Sequence, residues 1–415
     1  MVPARRQLAE NPDALDGTPP AEETFDILIS SAGSNKCRLE AKSSLVNAAY
    51  AEIKMPSITE WKRRLEQLQS ALYFNTKQSL LLRDAAYGQE LEDEQSNATP
   101  NLLPPKIISE VGKDLYDLLF ARDIYNAFAI SQQKARQSGA SLNVRLTFDT
   151  PGLSFLPWET LHDGREHLAL SPKSPVFRNA CVDSDPDLPP VEFPIAVLGM
   201  VPKNNNSAGL GPVLNVEAEQ ANIIIALQQL LNQERAVLRW AAGSPSDLID
   251  SLRQPPDRCA SWHVFHFCGH GGFDHEEGKG YLVVDPDPDP IGLDGIAQNE
   301  AALYSDDLMH ILEQASGLRL IILNSCRGGM GTEGAASVAE ELVAGGFSAV
   351  IAMQFDISDR AAILFSATLY KYLSTGTMIH QAVTLARQRM KRAGIPEWIT
   401  RVLYMRGRDG RLFRH

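Results

Sequence analysis

The sequence predicts an α/β protein built on a mainly parallel sheet that is flanked by helices. Its second half contains short apolar runs rich in Val, Ile and Phe, separated by amphipathic stretches. The runs are 195–201, 263–267, 318–324 and 348–355, and the amphipathic stretches are 215–233, 305–315, 335–344, 358–373 and 377–392. Nearly continuous apolar strands between helices are typical of a parallel sheet with both faces covered. Catalytic residues of such sheets lie at the carboxyl ends of the strands.

The composition is that of an ordinary globular protein of about two or three domains. The 415 residues include 39 Lys and Arg against 51 Asp and Glu, a formal net charge of −12. Because nucleic-acid binding depends on neutralising phosphates, an acidic chain without a basic block argues against a nucleic-acid partner. No apolar run reaches the ~18 residues of a membrane helix, and the N-terminus lacks the apolar core of a signal peptide. We therefore expect a cytoplasmic protein without membrane contact.

The cysteines and the acidic loop at 285–294 indicate no metal or cofactor. The five cysteines form no CxxC pair, so they predict neither a disulfide framework nor a zinc site. They are Cys37, Cys181, Cys259, Cys268 and Cys326. The loop 285–294 offers carboxylates that suit calcium, but it lacks the spacing of an EF-hand loop. We interpret it as a surface loop, with calcium binding as the alternative.

Two polar segments divide the chain. Residues 1–23 are rich in Ala, Pro, Asp and Glu without periodicity, which predicts a flexible arm. The acidic, Pro-rich stretch 183–190 is the best candidate for a linker. We therefore predict an N-terminal region over 24–190 and a C-terminal domain over 191–415.

Two of the apolar runs are followed at once by residues that could carry chemistry. His270 follows the run HVFHF in a Gly-His-Gly sequence, and Cys326 follows the run LRLIILN. A thiol needs a base to become a thiolate at neutral pH, and glycines let backbone N–H groups approach a substrate. Cys326 alone would be interpreted as a buried core cysteine. Together with His270 it predicts a nucleophile and its base.

These segments resemble a known family. HVFHFCGHGGFD, RLIILNSCRGG and SVAEELVAGGFSAVIAMQFDISDRAA are similar to sequences of the CHAT domain, a group of caspase-like cysteine peptidases related to caspases and separases. The resemblance extends from about residue 105 to the C-terminus. It implies a caspase-like fold, a catalytic dyad of His270 and Cys326, and an oxyanion hole formed by the N–H groups of Gly271 and Cys326. It also implies that region 24–190 is a degenerate, non-catalytic caspase-like unit packed on the active one.

Three further residues are candidates for substrate binding. The segment QFDISD (354–359) resembles the strand end that lines the first specificity pocket in these relatives. Asp356 there would favour Lys or Arg before the scissile bond through charge pairing. Asp359 is a second candidate, with helix capping as its alternative role. Asn324 stands where several basic-specific relatives carry Asp, so the sequence leaves specificity open.

Several other residues have simpler interpretations. His263 and His266 lie within a strand, so we expect them to be packing residues, and Cys268 is expected to be a small core residue. The C-terminal cations are interpreted as a solvated face, with a docking surface for an acidic partner as the alternative. They are Arg387, Arg389, Lys391, Arg392, Arg401, Arg406, Arg408, Arg411 and Arg414.

The resemblance predicts a cysteine endopeptidase that needs no cofactor. It implies a role in bacterial conflict or anti-phage signalling, in which the enzyme cleaves a protein partner encoded nearby, for example a gasdermin-like effector. An unregulated endopeptidase would harm its own cytoplasm, so we also expect an external restraint such as an activating partner. The alternatives are an inactive caspase-like scaffold that only binds partners and a hydrolase of small esters or amides.

Overall fold

The computed structural model describes most of the chain, in several ranges. These are 21–33, 36–54, 57–87, 106–149, 153–180, 188–203, 216–287, 301–327, 334–407 and 410–414. Residues 1–20 of the predicted arm and most of the predicted linker lie outside the described residues. The last two residues of the predicted arm begin the first strand.

The described residues form fifteen strands and nine α-helices, together with three short 3-10 helices. The strands are β1 Glu22–Ser31, β2 Lys36–Ser43, β3 Val46–Lys54, β4 Ser141–Asp149, β5 Val176–Asn179, β6 Val191–Glu192, β7 Ile195–Met200, β8 Ala236–Ala241, β9 Val264–Asp274, β10 Lys279–Val284, β11 Ala301–Tyr304, β12 Leu320–Arg327, β13 Ala349–Met353, β14 Arg401–Met405 and β15 Phe413–Arg414. The helices are α1 Ile58–Tyr87, α2 Lys106–Leu119, α3 Asp123–Ser138, α4 Val216–Asn232, α5 Pro245–Leu252, α6 Ser305–Leu312, α7 Gly334–Ala344, α8 Asp359–Leu373 and α9 Ile379–Arg392.

Thirteen of these strands form one large sheet. Its order is β11-β10-β9-β12-β13-β14-β5-β4-β1-β2-β3, and β7 pairs with both β8 and the first half of β9. The pairs β8-β7, β7-β9, β9-β12 and β12-β13 are parallel, as are β14-β5, β5-β4 and β4-β1. The predicted α/β class with a mainly parallel sheet is therefore confirmed.

Both faces of the central strands are buried. Val264 and Ile322 belong to a core cluster that α4, α8 and α9 cover, and Phe265 and Ile321 belong to a cluster under α5, α6 and α7. Successive residues of a strand point to opposite faces, so a run that is apolar at every position fills both layers. These continuous apolar runs are why the strands of the second half could be located from the sequence.

Strands β9 and β12 are longer than the sequence predicts. His270 and Cys326 are predicted to follow the ends of their strands, but both lie inside them, because β9 continues to Asp274 and β12 to Arg327. The glycine-rich end of β9 is paired on both sides, with β12 as far as Gly271 and with β10 from Gly271 onward. Glycine is rare in strands, so the sequence predicts that the strand ends before this segment, whereas the backbone continues the sheet to Asp274.

The sheet runs without a break through both predicted regions. Strand β14 of the C-terminal domain pairs with β5 of the N-terminal region, where Tyr404 stands opposite Arg178. Arg178 is fully buried, and its guanidinium donates to both carboxylate oxygens of Glu159 and to the side-chain oxygen of Gln354. Neighbouring strands and the buried hydrogen bond from Arg178 to Gln354 therefore join the two halves.

Candidate active site

His270 and Cys326 lie directly opposite each other on neighbouring strands. The parallel register of β9 and β12 pairs Val264 with Leu320 and continues without interruption to His270 opposite Cys326. Adjacent strands are about 4.8 Å apart, so the two backbones are within reach of a side-chain contact. His270 is 1% exposed and is the last buried residue of β9, since the residues from Gly271 to Asp274 are partly exposed.

The glycines around His270 are required by packing as well as by any substrate. A Cβ on Gly269 would lie 2.4 Å from the ring of Phe267, and a Cβ on Gly272 would lie 2.4 Å from the hydroxyl of Tyr281. Gly271, whose N–H is the predicted oxyanion donor, stands between Arg327 on one side and Leu282 on the other. The absence of side chains at 269 and 272 therefore lets two aromatic rings pack against the His270 strand.

A buried polar cluster lies beside the dyad. Asn324, two residues before Cys326, donates from Nδ2 to His266 Nε2 over 3.0 Å and accepts at Oδ1 from Arg401. His266 Nδ1 lies 3.0 Å from the hydroxyl of Tyr370 on α8. Because Nε2 accepts a hydrogen bond, the proton of the neutral ring is on Nδ1 and is donated to Tyr370. The two ends of the Asn324 amide are thus held by different partners, which fixes its orientation.

This cluster keeps His266 neutral. Burial, reinforced by the positive charge of Arg401, lowers the pKa of His266 to about 3. Burial also raises the pKa of the Tyr370 hydroxyl. A histidine with so low a pKa is a weak base, because efficient general bases have a pKa near the working pH. His266 is therefore a packing and positioning residue, as the sequence indicates, and His270 is the better candidate for the base.

Arg401 is also fully buried. Its guanidinium lies 4.5 Å from the centre of the Phe365 ring on α8, in addition to its bond with Asn324. Cys268 is buried and its sulfur lies 3.5 Å from the Asn324 amide nitrogen. The sequence interpreted Arg401 as part of a solvated basic face. That interpretation is wrong for Arg401, whose side chain is enclosed between β12 and α8. It is also wrong for Arg387, which is fully buried and donates to the carbonyl oxygens of Val176 and Arg401.

The segment 354–359 contributes residues with different environments. Gln354 is buried and donates from Nε2 to Glu159 and to the carbonyl of Ile399, over 3.0 and 2.9 Å. Asp356 is exposed, and it accepts a hydrogen bond of 3.2 Å from Gln69 on α1. Gln354 therefore contacts the buried ion pair, whereas Asp356 lies at the protein surface.

The N-cap of α8 is not Asp359, for which helix capping was the alternative role. Ser358 is the N-cap residue and accepts a bond of 3.3 Å from the N–H of Ala361, whereas Asp359 is the first helical residue. The interpretation of Asp359 as the cap is therefore wrong. Serine is as good a cap as aspartate, so the sequence could not separate the two.

Sequence reasoning missed the partners of this site that come from distant segments. These are Arg178, Glu159, Gln354, Tyr370 and the buried role of Arg401. Gln354 lies in the segment QFDISD that the sequence analysis names, and all five residues lie in the part of the chain that resembles the family. Nothing in their spacing indicates that they would meet.

Two carboxylates at the start of the acidic loop accept hydrogen bonds from backbone N–H groups. The carboxylates of Asp285 and Asp287 accept from the backbone N–H groups of Lys203 and Ser246, over 2.9 and 2.8 Å. The remainder of the loop lies outside the described residues, so the calcium alternative is untested there. Within the ranges given above, no group of three or more metal-binding side chains is found, and no helix is long and apolar enough to cross a membrane.

Comparison with known proteins identifies the family. The model of the CHAT domain matches residues 109–398, which is more than half of the chain. The chain therefore belongs to the CHAT-domain family, as its motifs indicate. The match spans both predicted regions. A search for relatives among curated proteins finds no match.

Solved structures that match this chain include two of the separase–securin complex of Saccharomyces cerevisiae. Its 2.6 Å structure matches with a TM-score of 0.46 and 10% identity, over 92% of this chain and 30% of the matched chain. Its 3.0 Å structure matches with a TM-score of 0.45 and 11% identity, over 93% of this chain and 30% of the matched chain. The present chain thus spans less than a third of the length of the chains that it matches.

Proposed function

We propose that this CHAT protein is a cysteine endopeptidase with a dyad of His270 and Cys326. The observation that carries the proposal is the register that places these two residues opposite each other on β9 and β12. In a family of caspase-like peptidases, a histidine beside a cysteine at the carboxyl ends of parallel strands is the arrangement that thiol chemistry needs. The low pKa of the other nearby histidine, His266, favours His270 as the base.

The reaction would proceed in two stages. The proton of the Cys326 thiol passes to His270, and the sulfur attacks the carbonyl carbon of the scissile bond. The N–H groups of Gly271 and Cys326 hold the negative oxygen of the tetrahedral intermediate. His270 then protonates the leaving amine as the C–N bond breaks, which leaves a thioester on Cys326. Water attacks the thioester, and its hydrolysis releases the carboxylic acid and restores the thiol.

The substrate in this proposal is a specific protein partner encoded nearby, in bacterial conflict or anti-phage signalling. A gasdermin-like effector is the example, and a second protein would activate the enzyme. In the same proposal, 24–190 is a degenerate caspase-like unit and the protein works in the cytoplasm. Resemblance to the CHAT family supports these parts, and the sparse cysteines without a CxxC pair favour a reducing compartment.

Labelling by a peptidyl electrophile tests the dyad. We expect the wild type to form a covalent adduct on Cys326, found by mass spectrometry, and Cys326→Ala and His270→Ala to lose labelling and cleavage. Cys268→Ala is the matched control, because Cys268 is a buried cysteine two residues from His270. If His270→Ala is still labelled while His266→Ala is not, although it has native stability, then His266 and not His270 is the base.

The same experiment separates the alternatives. An inactive scaffold would not label, and a hydrolase of small esters would label without dependence on peptide sequence. The substrate is tested by mixing the protein with the products of neighbouring genes and locating any cut by mass spectrometry. Cleavage that persists in Cys326→Ala would exclude the proposed nucleophile.

A further inference from the structure

A groove on the outer side of the helical layer differs from the rest of this acidic protein. It lies between α4, α8 and α9 and encloses about 850 Å³. Its lining combines polar side chains with the apolar residues Leu364, Leu385 and Ile225, of which Ile225 is 51% exposed.

The rim of the groove carries positive charge. Lys371, Arg389 and Arg392 line it together with the amides of α4, and none of the described residues that line it is Asp or Glu. The nearest partners of the cations are neutral, since Arg392 donates to Gln388 over 3.3 Å and Lys371 lies 5.9 Å from the Tyr372 ring. Within the described part of the chain, no carboxylate forms an ion pair with the three cations. The groove is thus basic on a chain whose net charge is −12.

We propose that this groove binds an acidic, amphipathic segment of a partner protein. Protein interfaces combine apolar and polar contacts, and the cations of this groove are complementary to Glu and Asp. A segment with apolar residues on one side and carboxylates on the other satisfies both parts of the groove, as in helix-in-groove recognition. This inference does not depend on the proposed peptidase activity.

The shape and chemistry of the groove favour an acidic peptide over a nucleic acid or a membrane surface. A nucleic acid would place charged phosphates or sugars against Leu364 and Leu385, and only Tyr372 offers an aromatic ring for base stacking. A membrane surface is too flat to reach the floor of a concave groove. A peptide side chain can reach the floor while its acidic neighbours remain at the rim.

The test uses a fluorescein-labelled amphipathic peptide of about 18 residues, with Leu on one helical face and Glu on the other. Binding to the full chain is followed by fluorescence anisotropy. The controls are the same peptide with Lys in place of Glu, and poly-Glu without Leu. We expect the Leu–Glu peptide to bind at least 10-fold more tightly than either control, with an affinity that falls as salt is added.

Two matched double variants locate the site. Lys371→Glu with Arg389→Glu reverses one rim charge on α8 and one on α9, and we expect at least a 10-fold loss of affinity. Arg360→Glu with Lys391→Glu reverses one exposed charge on each of the same helices outside the groove, and we expect less than a 2-fold change. Circular dichroism and the thermal midpoint establish that both variants are folded.

The proposal is overturned if the Leu–Glu peptide does not bind at millimolar concentration, or if the Glu and Lys peptides bind equally. It is also overturned if the two double variants lose the same affinity. Displacement of the peptide by a single-stranded oligonucleotide or by anionic vesicles, at lower concentration than by unlabelled peptide, would assign the groove to a different class of ligand.

Discussion

His270 and Cys326 are register partners in the parallel pair of β9 and β12. The same register places Asn324 opposite Cys268 and Ile322 opposite His266, so the position of the dyad depends on the packing of the whole strand pair. A slip by one residue would move every side chain of β12 to the other face of the sheet. Because such a slip would also take Asn324 away from His266 and Arg401, these hydrogen bonds favour the observed register and with it the position of the dyad.

Because burial keeps His266 in its neutral form, we predict that acid destabilises the fold. Its folded pKa of about 3 lies below the ordinary value of 6.5, so only the unfolded chain binds a proton between these values. The contribution of His266 to the free energy of unfolding is therefore complete above pH 6.5. It falls by about 1.4 kcal/mol for each pH unit below that value. Urea unfolding at pH 7.0 and 5.5 should show that His266→Gln loses about 1 kcal/mol less on acidification than the wild type.

The control for this measurement is His310→Gln, since His310 is exposed on α6. It should lose as much stability on acidification as the wild type. Buried His167 and His263, whose pKa values burial lowers to about 4, add to the acid sensitivity of every variant. An identical acid loss in His266→Gln and the wild type would contradict the assignment.

The hydroxyl of Tyr370 should stabilise the fold through His266. Tyr370→Phe removes the acceptor of the His266 Nδ1–H bond and leaves a buried donor unsatisfied. The expected cost is about 1–3 kcal/mol of unfolding free energy. Tyr372→Phe, on the same helix with its ring in the groove, should change it by less than about 0.5 kcal/mol. Equal effects of the two substitutions in urea unfolding would argue against the bond.

Loss of the ion pair between Arg178 and Glu159 should lower the free energy of unfolding much more than loss of a surface pair. Both side chains are fully buried, and Glu159→Gln leaves the guanidinium without its counter-charge. We expect a loss of about 3–5 kcal/mol. Glu52→Gln, which removes the exposed pair with Lys36, should cost less than about 1 kcal/mol. A loss below 1 kcal/mol for Glu159→Gln, by denaturant unfolding, would show that the pair is dispensable.

Substrate preference is a prediction that rests on the proposed peptidase. If Asp356 lines the first specificity pocket, a peptide library should show Lys or Arg before the scissile bond. Asp356→Asn should then reduce that preference by about 10-fold or more, since a charge-assisted pair contributes about 1.5–3 kcal/mol. Asp307→Asn, an exposed aspartate on α6, is the control and should leave the profile unchanged. A wild type that prefers an acidic or apolar residue there would rule out this role for Asp356.

The sequence predicts what depends on local pattern. The apolar runs located β7, β9, β12 and β13, and the amphipathic stretches located α4 and α6 to α9 within a few residues. These predictions succeed because burial on both faces leaves a continuous apolar run, which periodicity detects. The motifs also indicated that the His270 and Cys326 segments belong together, and the register places the two residues opposite each other.

The sequence does not predict contacts between segments that are far apart. The partners of Asn324 come from β9 and β14, and His266 is bound by a residue of α8. Buried arginine is uncommon, so the sequence places Arg387 and Arg401 on a solvated face, whereas both are buried. Only the folded chain shows that their charges are enclosed, because each depends on partners that the chain brings together from several strands and helices.

The shared sheet has a consequence for any attempt to study the two halves alone. Expressing residues up to 190 and from 191 as separate fragments would part β14 from β5 and expose a row of unpaired backbone groups on both fragments. It would also leave Arg178 without Gln354, and both fragments would tend to aggregate through their open edges. Fragments for expression should therefore keep both halves, and a nicked protein should hold together as a non-covalent complex.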